Sequence, residues 1–154
     1  MIAMPMTLLA VGLALASLSA AQQVPPELDA LVAKTRQGGR VTAWCRAEFR
    51  SGHPGAFAVA IAALDREGRY VALDSDGRVT QLASFKGSAG LSCYSRAEAE
   101  TLDATIRQSE TIHGHIAPRW NTTVVCGFTE DTAAACWQYS PADRVFVKVG
   151  QWVT

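Results

Sequence analysis

The sequence predicts an α+β fold in which a single antiparallel sheet of six to seven strands carries two helices and two disulfides. Three features predict it. Apolar residues recur with a period of two through much of the chain, two stretches follow the helical period instead, and four cysteines lie in or beside the predicted strands. Short turns join consecutive strands, and such hairpins build antiparallel sheets. We expect a meander of four strands and, after the second helix, three C-terminal strands.

A short helix is predicted at the start of this domain. Pro26 suits the first helical position, where a backbone N–H would have no helical partner. Leu28, Leu31 and Val32 recur at helical spacing and mark the face that packs inward. The glycine pair at 38–39 is expected to end the pattern, because glycine is favoured just beyond a helix C terminus.

Four strands are predicted to follow the first helix. The segment 41–47 alternates between apolar and polar residues, which predicts a strand with one inward face. The segment 57–64 is almost continuously apolar, as expected of a central strand that is buried on both faces. Turns at 65–68 and 75–77 lead into two further strands, and the Asp-Gly in the second turn is a strong hairpin signal. These last strands are predicted at 69–73 and 78–85.

The clearest helix in the sequence begins at Ser95. Ser95 and Glu98 have the spacing of a capping box, in which each side chain accepts the other's backbone N–H. Asp103 and Arg107 are four residues apart and are expected to pair on the outer face. Gly114 is the expected residue just past the helix, so the helix is predicted to include His113. The inward stripe is predicted to consist of Ala99, Leu102, Ile106 and Ser109.

The four cysteines predict two disulfides. An even count in an exported protein favours pairing, and no C-x-x-C spacing is present to suggest a zinc ribbon or a thioredoxin-like redox site. Cys126 and Cys136 lie on two strands of one predicted hairpin, so we expect them to be paired across it. Cys45 and Cys93 would then close a long loop. The closing strands are predicted at 122–128, 134–139 and 144–149.

The N-terminal segment predicts export. Residues 1–21 contain no charged side chain, and the apolar run at 8–18 is too short to span a bilayer. Ser19 and Ala21 fit the small-x-small pattern that precedes a signal-peptidase cleavage site. We therefore expect a signal peptide over 1–21 and one domain over 22–154. The mature protein is predicted to be periplasmic or secreted, with no membrane span after removal of the signal.

The charge balance argues against nucleic acid as a partner. The chain has 14 basic and 14 acidic residues, and its formal net charge is zero. Capture of nucleic acid or of an anionic membrane surface needs a clustered positive field, which a neutral chain does not predict. No motif in the sequence calls for a cofactor, and none is expected.

A possible metal or catalytic set lies at the end of the second predicted helix. Glu110 and His113 are three residues apart and would share a helical face, while His115 follows the glycine stop and could fold back toward them. Two imidazoles and a carboxylate suit zinc, or a general acid/base set. The competing interpretation is that His113 has a structural role only, because the helix dipole favours a histidine in the last turn of a helix.

The loop after this segment contains the candidate binding residues. Arg119 and Trp120 are of the residue types that dominate interaction hot spots, and they lie close in sequence to His115. These three are the predicted binding residues. The competing interpretation is that the tryptophan plugs an end of the sheet.

These features favour a non-enzymatic binding module whose partner is an extracytoplasmic protein or an envelope component. Two disulfides, a rigid sheet and the lack of a complete catalytic set in the sequence support this hypothesis. Inhibitor and immunity-type proteins provide an analogy at the level of architecture only. The alternatives are a small metal-assisted hydrolase that uses Glu110, His113 and His115, and a structural envelope protein.

Overall fold

Two helices and nine strands make up the part of the chain that the computed structural model describes, residues 24–34, 39–49, 57–64, 68–74, 76–87 and 90–154. The predicted signal peptide lies outside the described residues. The elements in chain order are α1 (Pro26–Lys34), β1 (Val41–Phe49), β2 (Phe57–Leu64), β3 (Arg69–Asp74), β4 (Val79–Ser84), β5 (Leu91–Tyr94), α2 (Arg96–Gln108), β6 (His113–Ile116), β7 (Val124–Glu130), β8 (Ala133–Ser140) and β9 (Val145–Val153). Neither helix is long and apolar enough to cross a membrane.

The strands form two antiparallel sheets, and the prediction of a single sheet with six to seven strands is wrong. Sheet A has the order β1-β2-β3-β4, as the predicted meander requires. Sheet B has the order β5-β7-β8-β9-β6 and places the three C-terminal strands in its centre. The error has a physical reason. Period-two alternation identifies a strand and its buried face, but it does not say which other strand or sheet that face contacts.

Strand β2 is buried on both faces from Val59 to Leu64, as the sequence predicts. Ala60 and Ala62 belong to an apolar cluster with Leu28 of α1. The alternate residue Ile61 belongs to a second cluster, which includes Trp137 of sheet B. Because successive side chains of a strand point to opposite faces, β2 has α1 on one side and sheet B on the other.

Sheet B has its second face covered by α2. Ala99 and Ile106 of α2 form an apolar cluster with Val124 of β7 and Val149 of β9. The molecule is therefore a stack of four layers in the order α1, sheet A, sheet B, α2. The inner strands β2, β3 and β8 are buried on both faces, which accounts for their high apolar content, whereas the edge strand β4 has no fully buried residue.

The predicted start of α2 is confirmed, but its predicted end is wrong. The Ser95 Oγ accepts the Glu98 N–H at 3.2 Å, and Glu98 Oε2 accepts the Ser95 N–H at 2.7 Å. The helix ends at Gln108, with Ser109 as its C-cap, and the chain then enters the short strand β6. Gly114 is consequently a strand residue and not the helix stop. At the other helix, Pro26 is confirmed as the first residue of α1.

Both predicted disulfides are confirmed. Cys126 and Cys136 face each other directly in the β7–β8 register, with 4.0 Å between their Cα atoms. The Cys45–Cys93 disulfide joins β1 to β5, and its Cα atoms are 5.6 Å apart. Because β1 belongs to sheet A and β5 to sheet B, this second disulfide fastens the two sheets together along one side.

Tyr70 provides a second connection between the sheets. Its side chain is fully buried, and its hydroxyl donates to the Phe128 carbonyl at 2.7 Å and accepts the Gly90 N–H at 3.3 Å. A tyrosine of sheet A thus bonds to the backbone of β7 and to the residue that precedes β5. Burial raises the pKa of the Tyr70 hydroxyl, against the lowering effect of the hydrogen bond at Gly90. The hydroxyl therefore stays protonated and can donate.

Gly127 makes room for the Tyr70 ring, so Gly127→Ala should lower stability. An alanine Cβ would lie 2.8 Å from the Tyr70 Cζ, in a contact where both residues are buried. Overpacking of this kind costs about 1–3 kcal/mol in the free energy of unfolding, measurable by chemical denaturation. Combining the change with Tyr70→Leu, which removes the ring, should reduce the cost of Gly127→Ala. An equal cost in both backgrounds would show that the ring is not what excludes a side chain there.

Candidate functional site

The predicted binding loop is held by one buried side chain, that of Gln138 on β8. Gln138 is 0% exposed. Its Oε1 accepts the backbone N–H of Arg119 at 2.8 Å and lies 3.4 Å from the Trp120 nitrogen. Its Nε2 donates to the carbonyls of Trp120 at 2.9 Å and Thr122 at 3.1 Å. The carboxamide therefore bonds to the loop backbone with both of its ends.

These bonds fix the backbone of residues 119–122. A buried amide that lacked partners would cost several kcal/mol, so the loop and the carboxamide stabilise each other. Within the described part of the chain, no buried side-chain nitrogen or oxygen lacks a hydrogen-bond partner. The Arg119 side chain is exposed and Trp120 is half-buried. The loop thus presents a cation and an aromatic ring on an ordered backbone.

His113 and His115 lie on β6, at the edge of sheet B. In the β6–β9 register, His113 is opposite Val153 and His115 is opposite Gln151. Both histidines are exposed, and alternation along the strand puts them on one face of it. The intervening Gly114 has a φ of 152°, and a Cβ at this position would lie 2.1 Å from the Gln151 carbonyl oxygen. The close approach of β6 to β9 therefore requires glycine there.

The helical geometry that suggested a metal site is wrong. Glu110 follows the end of α2 in an exposed bend, and His113 begins a strand, so the two residues do not share a helical face. No group of three His, Cys, Asp or Glu side chains in the described ranges comes close enough to hold a metal ion. The residues of the predicted site are thus near one another in sequence without forming a three-residue ligand set.

Asp103 positions β6 against α2. Its Oδ1 accepts the Ile116 N–H at 2.6 Å, and its Oδ2 accepts the Arg107 Nε–H at 2.7 Å. The predicted pair of Asp103 and Arg107 is confirmed, while the bond to β6 was not predicted. Burial alone would raise the pKa of the Asp103 carboxyl, but the Ile116 N–H, Arg107 and the nearby His115 together bring this pKa below its usual value.

The three predicted binding residues lie in one short segment of the chain. His115 lies near the end of β6, and Arg119 and Trp120 follow in the loop that leads to β7. Gln138 is the residue of this region that the sequence did not reveal. The available signal was a single amide between Trp137 and Tyr139, directly after the apolar run from Ala133 to Trp137. A polar side chain in that setting needs buried partners.

No protein-family model, no curated protein and no solved structure matches this chain.

Asp103→Asn should make the protein less stable at neutral pH. Because the folded-state pKa is lowered, the carboxylate stabilises the fold fully above its unfolded pKa of about 3.9. That contribution is lost as the pH falls through the folded-state pKa. We expect a loss of about 1 kcal/mol in the free energy of unfolding at pH 7, since a charged acceptor of two hydrogen bonds becomes a neutral amide. The difference between variant and wild type should shrink as the pH falls below about 3.9.

Glu100→Gln is the matched control, because Glu100 pairs with Arg96 on the exposed side of the same helix. It should change the stability little at either pH, as is usual for exposed ion pairs. Urea titrations at pH 7 and pH 3 measure both variants. A loss for Asp103→Asn that stayed the same at the two pH values would contradict the ionic role of this carboxylate.

Proposed function

We propose that this protein is an exported, non-enzymatic binding module whose partner is an extracytoplasmic protein or an envelope component. The observation that carries the proposal is the attachment of the 119–122 loop to the fully buried Gln138. A buried amide that bonds only to one loop has the effect of ordering that loop. Arg119 and Asn121 are exposed on this ordered backbone, with Trp120 half-buried between them.

An ordered loop favours binding because less freedom is lost in the complex. Association normally costs about 0.5–1.5 kcal/mol for each flexible side chain or segment that becomes fixed at the interface. The loop backbone here is already fixed in the free protein. Arginine and tryptophan also contribute the most per residue in interfaces, since both combine a large apolar area with hydrogen-bond donors. His115, exposed on the preceding strand, supplies a further contact at the rim.

A periplasmic or secreted location is part of the proposal. The two disulfides are compatible with it, because disulfides persist in oxidising compartments. An uncharged apolar segment with a small-x-small pattern at 19–21 supports export by a cleaved signal peptide. The formal net charge of zero supports a protein or neutral envelope component as partner over nucleic acid.

The alternative of a metal-assisted hydrolase has less support. It would use Glu110, His113 and His115, and all three side chains are exposed on a bend and an edge strand. A hydrolase site needs its groups to converge in a cleft that holds the substrate and the attacking water. A purely structural envelope protein, the other alternative, would have no need for an exposed arginine on a loop anchored in this way.

Capture experiments with loop variants test the proposal. The mature protein, immobilised, is exposed to periplasmic extract or culture medium from its source, and the bound proteins are quantified by mass spectrometry. We expect a partner that wild type retains and that Arg119→Ala and Trp120→Ala lose. With the purified partner, Trp120→Ala should weaken binding at least about 30-fold, the loss that corresponds to a hot spot of about 2 kcal/mol.

Arg96→Ala is the control for the loss of one exposed positive charge. Arg96 lies on the outer side of α2 and pairs with Glu100. This variant should retain the partner like wild type, and all variants should unfold at similar denaturant concentrations. A partner that both loop variants hold as tightly as wild type would place the binding surface elsewhere and refute the proposal.

A further inference from the structure

A crevice opens between the two sheets on the side of β4 and β9, away from the candidate binding loop. Its volume is about 150 Å³. Its apolar lining residues come from both sheets and are Val59, Ala72, Leu82, Tyr139, Val145 and Phe146. Thr80 and three charged residues complete the lining. A cavity of about this volume lined by apolar side chains accommodates a benzene-sized group.

Two arginines from distant parts of the sequence line this crevice. Arg78 lies just before β4 in sheet A, and Arg144 lies just before β9 in sheet B. Neither forms an ion pair with any residue that the structure describes. Asp74 is the acidic residue among those that line the crevice. Together, the two arginines and this aspartate give the lining a formal net charge of +1. That charge suits one carboxylate and disfavours a dianion.

The backbone of Arg144 is held in a position that few side chains adopt. Its φ is 54°, and it is the one non-glycine residue in the described ranges with a positive φ. The left-handed conformation costs about 1–2 kcal/mol for such a residue. Two hydrogen bonds close the turn that imposes this conformation. The Arg144 N–H donates to the Ser140 carbonyl at 2.8 Å, and the Ser140 hydroxyl donates to the Asp143 carboxylate at 3.0 Å. Ser140 is buried, so the turn is anchored in the core.

We propose that this crevice binds a carboxylate joined to one aromatic or short aliphatic group. The apolar group fills the space between the sheets, and the carboxylate accepts hydrogen bonds from Arg78 and Arg144. Guanidinium groups bind carboxylates with paired, charge-assisted hydrogen bonds, which gives both strength and orientation. The site is separate from the Arg119–Trp120 loop, so it does not depend on the function proposed above.

Calorimetric titration of the mature protein with 3-phenylpropionate and with 3-phenylpropionamide tests the site. The two probes differ in charge and have the same ring. We expect one acid to bind per chain, and the amide to bind at least tenfold more weakly. Arg78→Gln and Arg144→Asn should each weaken binding of the acid at least tenfold. Asparagine is chosen at 144 because it tolerates a positive φ. Arg96→Gln, which removes a charge from α2, should bind like wild type.

A third probe identifies the source of the carboxylate. The peptide acetyl-Gly-Gly-Phe with a free C terminus offers the same ring and charge at the end of a chain. Tighter binding of this peptide than of 3-phenylpropionate assigns the crevice to a protein C terminus, while tighter binding of the free acid assigns it to a small molecule. Binding of neither, equal binding of acid and amide, or arginine variants that bind like wild type would each overturn the proposal.

Discussion

The architecture of the candidate site depends on one buried carboxamide, that of Gln138. The residue lies in β8, near the centre of sheet B, two positions after Cys136. Side chains two apart on a strand share a face, so Gln138 lies on the side of the sheet that α2 covers at Cys136. Where α2 no longer covers this face of sheet B, the 119–122 loop packs over Gln138 instead. The amide's need for partners and the loop's need for hydrogen bonds are met by the same contacts.

Several contacts join the two sheets. The Cys45–Cys93 disulfide joins them at the β1–β5 side, and the Tyr70 hydroxyl bonds from β3 to Phe128 and Gly90. Beyond the end of β4, the Lys86 N–H donates to the Thr129 carbonyl of β7 at 3.1 Å. The crevice lined by Arg78 and Arg144 lies between the sheets near the starts of β4 and β9. The candidate binding loop is built on sheet B alone, so the two proposed sites use independent parts of the fold.

Much of the fold could be predicted from local patterns, and the failures share one cause. The continuous apolar run predicts that β2 is buried on both faces, and the spacing of Ser95 and Glu98 predicts the capping box of α2. The even number of cysteines and their places in the predicted strands predict both disulfides. The strands β5 and β6 have only four residues each, too few to show alternation. In β6, the glycine between two histidines also resembles a helix stop. Tertiary contacts, which no local sequence pattern predicts, determine the division into two sheets and the burial of Gln138. They also determine that Arg78 and Arg144 line the same crevice.

The central claim is that Gln138 orders the 119–122 loop, and native-state hydrogen exchange of single amides tests it most directly. The comparison is between wild type and Gln138→Met, an apolar change of similar size. The Arg119 N–H should be protected in wild type and exchange about fivefold faster in the variant, since one hydrogen bond contributes about 1 kcal/mol, which corresponds to that factor. The Val125 N–H, in the core of β7, should stay protected in both. An Arg119 N–H that exchanged freely in wild type, or equally slowly in both proteins, would contradict the account.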